Sequence, residues 1–242
     1  MAIKAILFDL DGTLLPMDQE EFTGYYFRLL ARKAAPLGYE AKQLTDGIWA
    51  GTAAMVKNDG SCLNREAFWN KFAEIFGEEA RAHEPMFDEF YANEFQQARS
   101  VCGRNVEARQ IIDLCKNLEY RVILATNPLV PAVATLSRIR WAGLEPEYFE
   151  HITTYENSHY CKPNPAYYRE ILEYIGCAPE ECVMVGNDVE EDMVAASSLG
   201  MRVFLLTDCL LNPKNREIDQ YPHGSFQDLM TFVTYLKLGI EP

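Results

Sequence analysis

The sequence predicts an α/β protein, a doubly wound parallel sheet with an inserted all-α domain. Short apolar runs rich in β-branched residues recur along the chain and alternate with segments of helical spacing, which is typical of parallel sheets. A long segment after the first run shows helical spacing alone. At 242 residues with 48% hydrophobic content, the chain is long enough for one large domain or for a domain with an insertion.

The first apolar run ends on two carboxylates, Asp9 and Asp11, and Gly12 follows at once. In an open parallel sheet, ligands bind beyond the carboxyl ends of the strands, so we expect both carboxylates to project into a site. Two like charges this close are tolerated if a divalent cation lies between them or if one carboxyl keeps its proton. Gly12 permits a sharp turn. The alternative is an ordinary Asp-Gly turn with solvated carboxylates.

Residues 17–100 are predicted to form the all-α insertion, with about four helices. The turns between these helices are expected at 36–38, 58–60 and 83–85. Links near 15–19 and 99–105 would join the insertion to the rest of the chain. Two such hinges beside a site would let the insertion close over a substrate as a lid. The alternative is a fixed helical subdomain that only shields the sheet.

The α/β core is predicted to comprise residues 1–16 and 101–242. After the first strand, further strands are expected at 120–125, near 149–153, at 182–186 and at 202–206. Helices are expected at about 105–118, about 131–141, up to residue 175 and at about 226–236.

Polar side chains follow the predicted core strands. Thr126 and Asn127 follow the second strand, Lys162 comes after the third, and Asp188 and Asp192 follow the fourth. Because parallel strands bring their carboxyl ends to one edge of a sheet, we expect these side chains to meet the two N-terminal carboxylates there. Taken singly, Thr126 also fits a helix cap and Lys162 a surface position, but their joint occurrence indicates a site.

Charge and cysteine content exclude several functions. The net charge of −14 argues against a nucleic-acid or anionic-membrane partner, because basic surface holds both. No apolar stretch approaches the length of a membrane span, and because Asp9 comes so early we expect no signal peptide in this sequence. Seven cysteines without a CxxC pair indicate reduced thiols, so we expect a cytoplasmic protein.

Four motifs, in order along the whole chain, resemble those of the haloacid dehalogenase-like hydrolase superfamily. Residues 8–14 resemble its first and most specific motif, 124–127 its second, 162–163 its third and 185–192 its fourth. The resemblance implies a Rossmann-like core, and the helical insertion corresponds to the cap of that superfamily's first cap class. Members with Asp at both positions of the first motif are mostly Mg²⁺-dependent phosphatases, with a few phosphomutases. Dehalogenating members replace the second Asp, so Asp11 argues against that chemistry.

The residue chemistry agrees with phosphate ester hydrolysis. Asp9 is expected to be the nucleophile that forms an aspartyl-phosphate, and Asp11 the general acid and then the general base. Lys162 and Thr126 would supply positive charge and a hydroxyl donor to the phosphoryl oxygens, with Asn127 also at the phosphate.

The resemblance implies a Mg²⁺ ion held by Asp9, an Asp of the fourth motif and the backbone carbonyl of Asp11. That motif more often has Asp directly after glycine, whereas Asn187 occupies this position here. We expect Asp188 to be the direct ligand, because a carboxylate binds Mg²⁺ better than an amide does. Gly12, Asn187 and Asp192 are expected in supporting roles, and Asn187 as the ligand is the alternative.

Three functions remain open on these residues. The favoured one is hydrolysis of a small phosphorylated metabolite by a monomer or a homodimer. The second is a sugar phosphomutase with the same intermediate, and the third is a non-catalytic binding protein on the same fold.

Overall fold

A computed structural model describes residues 2–240 of the chain, and a six-stranded parallel sheet lies at the centre of this part. The strands are β1 (Ala5–Phe8), β2 (Arg121–Leu124), β3 (His151–Ile152), β4 (Cys182–Gly186), β5 (Arg202–Leu206) and β6 (His223–Gly224). The spatial order β3-β2-β1-β4-β5-β6 reverses its direction at β1, which lies between β2 and β4. This arrangement confirms the predicted doubly wound sheet, and it opens a crevice beyond the end of β1.

The predicted helices are present, together with two elements that the sequence did not predict: the short strand β6, which precedes the last helix, and a short helix at Ala195–Ser197. Between β1 and β2 come α1 (Gln19–Ala34), α2 (Ala41–Val56), α3 (Asn64–Phe76), α4 (Glu84–Ala92), a 3₁₀ segment (Glu94–Val101) and α5 (Glu107–Asn117). The rest are α6 (Ala132–Trp141), α7 (Pro165–Ile175), α8 (Ala195–Ser197) and α9 (Phe226–Leu238). We call the segment from α1 to the 3₁₀ segment the helical insert. None of the helices within 2–240 has the length and apolar character needed to cross a membrane.

Alternating side chains of β1 supply both apolar layers of the core. Ile6 and Phe8 belong to the cluster that includes residues of α5 and α9, whereas Ala5 and Leu7 belong to the one that includes α7. All four are fully buried, as expected for a central parallel strand covered on both faces. The strand is therefore fixed on both sides, which holds its end in place.

Aromatic rings fill the helical insert. The ring of Phe72 lies 5.6 Å from that of Phe68 and 5.7 Å from that of Phe87, centroid to centroid. Glycines on α2 let α3 come close: a Cβ at Gly51 would lie 2.5 Å from a ring carbon of Phe68. The aromatic side chains of the insert belong to the same apolar cluster as Ile6 and Phe8 of β1, so the insert packs continuously against this face of the sheet.

The two chain segments that join the insert to the sheet run side by side. Met17 forms an antiparallel bridge with Cys102, and the Gly103 amide donates to the Pro16 carbonyl at 2.7 Å. The start of α3 is also tied to the core, because the amide of Asn64 donates to the Ser158 carbonyl at 2.9 Å. The boundaries at residues 17 and 100, the cap class and the lid movement stay predictions.

Candidate active site

Asp9, directly after β1, pairs with a buried lysine. Lys162 lies in the loop between β3 and α7 and is only 1% exposed. Its ammonium donates to Asp9 Oδ1 at 2.8 Å and to Asp192 Oδ1 at 2.6 Å. The structure therefore brings together one residue from each of the first, third and fourth motifs, as expected.

The lysine carries the positive charge of this cluster. Burial lowers the pKa of Lys162, but the Asp192 and Asp9 carboxylates together outweigh burial and hold it well above its ordinary value. Burial also raises the pKa of Asp192, while Lys162 opposes that shift. We expect the proton to stay on the lysine, because its ammonium lies between two carboxylates.

Asp11 also lies at this edge, next to an arginine that the sequence did not indicate. Arg138, on α6 and 5% exposed, forms an ion pair with Asp11 Oδ2. Burial raises the pKa of Asp11, and the Arg138 guanidinium opposes that shift. Asp11 Oδ1 is buried without a hydrogen-bond partner among residues 2–240. This unpartnered oxygen gives the site a place for a further proton or donor.

Gly12 and Thr13 pack against Asn187. Gly12 has φ +83°, and a Cβ there would lie 2.3 Å from Asn187 Nδ2, so both conformation and space require glycine. Thr13 Oγ1 donates to Asn187 Oδ1 at 3.0 Å, and Asn187 Nδ2 donates to the Cys209 carbonyl at 2.7 Å. Both polar ends of the Asn187 amide therefore have partners within the protein.

Asp188 begins a turn of π-helix at Val189–Val194. Its Oδ1 accepts from the amides of Glu190 and Glu191 at 2.8 and 2.9 Å. The Asp188 amide in turn donates to Asp192 Oδ2 at 3.0 Å, which links the fourth motif to the lysine cluster. Which of Asn187 and Asp188 binds a metal stays a prediction. Both polar atoms of the Asn187 side chain are hydrogen-bonded, whereas the described hydrogen bonds of the Asp188 side chain use Oδ1.

Thr126 and Asn127 follow β2 at the same edge, as expected. The Thr126 carbonyl accepts from Thr153 Oγ1 at 2.6 Å and from the Tyr167 hydroxyl at 2.9 Å. Asn127 Nδ2 donates to Glu191 Oε2 at 3.0 Å. Burial raises the pKa of Glu191 to about 6, while Lys162 opposes the shift. Glu191 is a second residue that the sequence pattern does not single out, because it lies among four other acidic or polar residues.

A cavity of about 430 Å³ opens beside this edge of the sheet. The predicted site residues Asp9, Asp11, Thr126, Asn127, Asn187, Asp188 and Asp192 line one end of it, and Arg138 and Glu191 line it with them. Lys162 lies behind this end of the cavity, hydrogen-bonded to Asp9 and Asp192, which line it. The helical insert forms the opposite walls.

The donor atoms at this edge fit Mg²⁺. Asp9 and Asp188 each use only Oδ1 in side-chain hydrogen bonds within the described structure, so each carboxylate keeps a second oxygen for a ligand. No three His, Cys, Asp or Glu side chains of residues 2–240 form a ready metal cage. Mg²⁺ does not need one, because it is commonly held by one or two carboxylates together with waters and substrate phosphate.

Comparison with known proteins identifies the family. A sequence model of the haloacid dehalogenase-like hydrolases matches residues 3–200. The chain belongs to this family. This match confirms the predicted family. The curated relatives, which are phosphatases, confirm the predicted enzyme class.

Several curated relatives span most of the chain, among them pyrimidine 5'-nucleotidase PynA of Streptococcus pneumoniae, which is 24% identical over 95% of this chain and 94% of its own. Glyceraldehyde 3-phosphate phosphatase of Methanothermobacter thermautotrophicus is 25% identical, over 90% of this chain and 92% of its own. A phosphorylated carbohydrates phosphatase of Thermotoga maritima is 27% identical, over 82% of each chain. Among solved structures, a HAD phosphatase from Thermococcus onnurineus shares the fold, with a TM-score of 0.60 at 19% identity over 99% of both chains.

Proposed function

We propose that this hydrolase is a Mg²⁺-dependent phosphatase that releases phosphate from a small phosphorylated metabolite through an aspartyl-phosphate on Asp9. The observation that carries the proposal is the buried ion pair of Asp9 with Lys162, 2.8 Å long, at the end of the central strand. A carboxylate beside a fixed ammonium is suited to approach an anionic phosphoryl group. Asp11 lies two residues away on the same cavity.

In the first step, an oxygen of Asp9 attacks phosphorus and the bond between phosphorus and the ester oxygen breaks. Asp11 gives its proton to the departing alkoxide, which leaves as an alcohol. Burial favours the protonated acid, since it raises the pKa of Asp11. Lys162 and the Thr126 hydroxyl stabilise the negative charge on the phosphoryl oxygens.

In the second step, Asp11 takes a proton from a water molecule that attacks the phosphorus of the aspartyl-phosphate. The bond between phosphorus and Asp9 breaks, inorganic phosphate leaves, and both aspartates return to their starting forms. The buried hydrogen bonds from Lys162 keep Asp9 and Asp192 in position through both steps.

Asp9, Asp188 and the Asp11 carbonyl would hold Mg²⁺. When bound, the ion supplies positive charge that offsets the repulsion between carboxylate and phosphate.

The relatives support a small substrate, because two of them act on glyceraldehyde 3-phosphate and on phosphorylated carbohydrates. The cavity volume of about 430 Å³ agrees with a small molecule. The seven free cysteines support a cytoplasmic setting, and we propose a monomer or a homodimer there.

The test is release of inorganic phosphate from p-nitrophenyl phosphate in the presence of Mg²⁺. We expect Asp9→Asn to lower kcat by at least about a thousandfold, as loss of a nucleophile does. Asp219→Asn, at an exposed position, is the matched control and should keep full activity.

Two outcomes would refute the proposal. Equal activity in Asp9→Asn and the unmodified protein would remove Asp9 as the nucleophile. Isomerisation of a sugar phosphate without net phosphate release would identify a phosphomutase instead.

A further inference from the structure

The walls of the cavity are made mainly of aromatic rings. Rings from each helix of the insert face it, among them Phe22, Phe27, Trp49, Phe68, Trp69 and Tyr91. These rings lie across the cavity from the polar end at the sheet edge. The alcohol part of a bound phosphate ester would therefore lie against them.

The insert contributes no charged side chain to the cavity among residues 2–240. Its polar groups there are few: Gln19, Thr23 and Thr52 are the uncharged polar residues without a ring. The hydroxyls of Tyr26 and Tyr91 are bonded to each other at 2.9 Å. Arg138, a cation on the wall nearest the site, is paired with Asp11.

These walls suit a sugar poorly. Each hydroxyl of a bound polyol that faces a ring gives up its water without gaining a partner, and such a loss costs free energy. A flat ring loses no hydrogen bonds on entering and gains contact with other aromatic faces and edges. Within residues 2–240, no carboxylate of these walls is placed to pair with a cationic alcohol, since the acidic residues that line the cavity lie at the sheet edge.

We infer that the preferred substrate is the phosphate monoester of an alcohol that carries a neutral aromatic ring, rather than a sugar phosphate. The inference rests on the proposed phosphatase function and narrows its substrate class. It departs from the carbohydrate phosphates on which two relatives act.

The experiment compares esters of primary alcohols, whose leaving groups have similar basicity. The probes are 2-phenylethyl phosphate, D-glucose 6-phosphate and phosphocholine, and acetyl phosphate serves as a small reference that does not reach the walls. We expect kcat/KM for 2-phenylethyl phosphate to exceed that for each of the other two esters by at least about tenfold, the scale on which an apolar pocket discriminates.

Each outcome has a distinct meaning. If acetyl phosphate is hydrolysed and glucose 6-phosphate or phosphocholine matches the aromatic ester, the inferred substrate class is wrong while the phosphatase function stands. If the protein hydrolyses neither acetyl phosphate nor any ester, the proposed function fails and the inference fails with it.

A variant of the wall provides a second measurement. Trp49 is 52% exposed, so its replacement should leave the fold intact. We expect Trp49→Ala to lower kcat/KM for 2-phenylethyl phosphate by about fivefold or more, and by a larger factor than for acetyl phosphate. Tyr174→Ala is the matched control, because Tyr174 is exposed and lies outside the cavity. Equal factors for the two substrates in Trp49→Ala would contradict the inference.

Discussion

The two ends of the cavity are built in opposite ways. The sheet edge assembles charged side chains from distant parts of the chain, as the Lys162 and Asp9 pair shows with a separation of 153 residues. The walls come from consecutive helices and carry aromatic rings. The order of the strands therefore determines where the charged side chains lie. Packing within the insert determines the shape of the cavity that receives the rest of the substrate. The two ends should respond differently to substitution.

The largest effect is expected at the sheet edge, in Lys162→Met. This change removes the cation between two buried carboxylates, so we expect the free energy of unfolding to fall by about 3–5 kcal/mol. Phosphatase activity should also be lost, since the phosphoryl charge loses its ammonium. Urea unfolding followed by tryptophan fluorescence measures the first effect.

Lys214→Met is the control, because Lys214 pairs with Glu190 on the surface. Exposed pairs contribute up to about 1 kcal/mol. A similar loss of stability in both variants would contradict the role given to the buried ammonium.

A smaller effect, on stability alone, is expected inside the insert. Leu30 is fully buried on α1 and does not line the cavity. Leu30→Ala should lower the free energy of unfolding by about 2–4 kcal/mol through the space it leaves. Turnover of acetyl phosphate per folded molecule should not change. Loss of that turnover in fully folded protein would show that the two ends of the cavity do not act separately.

The smallest effect is expected in Glu191→Gln, and it depends on pH. The pKa of Glu191 is raised from 4.5 to about 6, so the fold favours its protonated form. The free energy of unfolding should therefore decrease as the pH rises from about 4.5 to about 6. With glutamine, this loss disappears. At pH 8 in metal-free buffer we expect the variant to be more stable by about 2 kcal/mol, and equally stable below about pH 4.5.

The neighbouring residue gives the opposite sign. Ion pairs with Arg216 and Lys214 lower the pKa of Glu190 to about 2, so its ionised form is favoured in the fold. Its contribution is present above the ordinary carboxyl pKa and is lost as the pH falls toward 2. Glu190→Gln should thus be less stable than the unmodified protein at pH 8. Shifts of the same sign in both variants would refute this account.

The sequence predicted the sheet edge because a simple rule connects order along the chain to position in space. Each of Asp9, Thr126 and Asp188 follows a β-strand, and parallel strands end together. The sequence did not indicate Arg138 as a site residue, because it lies within a helix and does not follow a strand. The sequence did not indicate Glu191 either, because the π-helical turn determines which acidic side chain of this segment faces the cavity.

The aromatic walls could not be predicted in the same way. Helical spacing places Phe68 and Phe72 on one face of α3, yet Phe68 lines the cavity and Phe72 packs within the insert. The difference depends on where α2 and α4 lie against α3, and this is a property of three-dimensional packing. Periodicity reports which face is apolar, and both a core and a pocket satisfy it.

The hydrogen bond between Gly103 and Pro16, where the chain enters and leaves the insert, has a consequence for how such proteins diversify. An insertion whose entrance and exit touch is exchangeable: helices can be lengthened, shortened or replaced without stretching the strand before them or the helix after them. Recognition of new molecules can thus change by swapping one module while the reacting groups keep their positions.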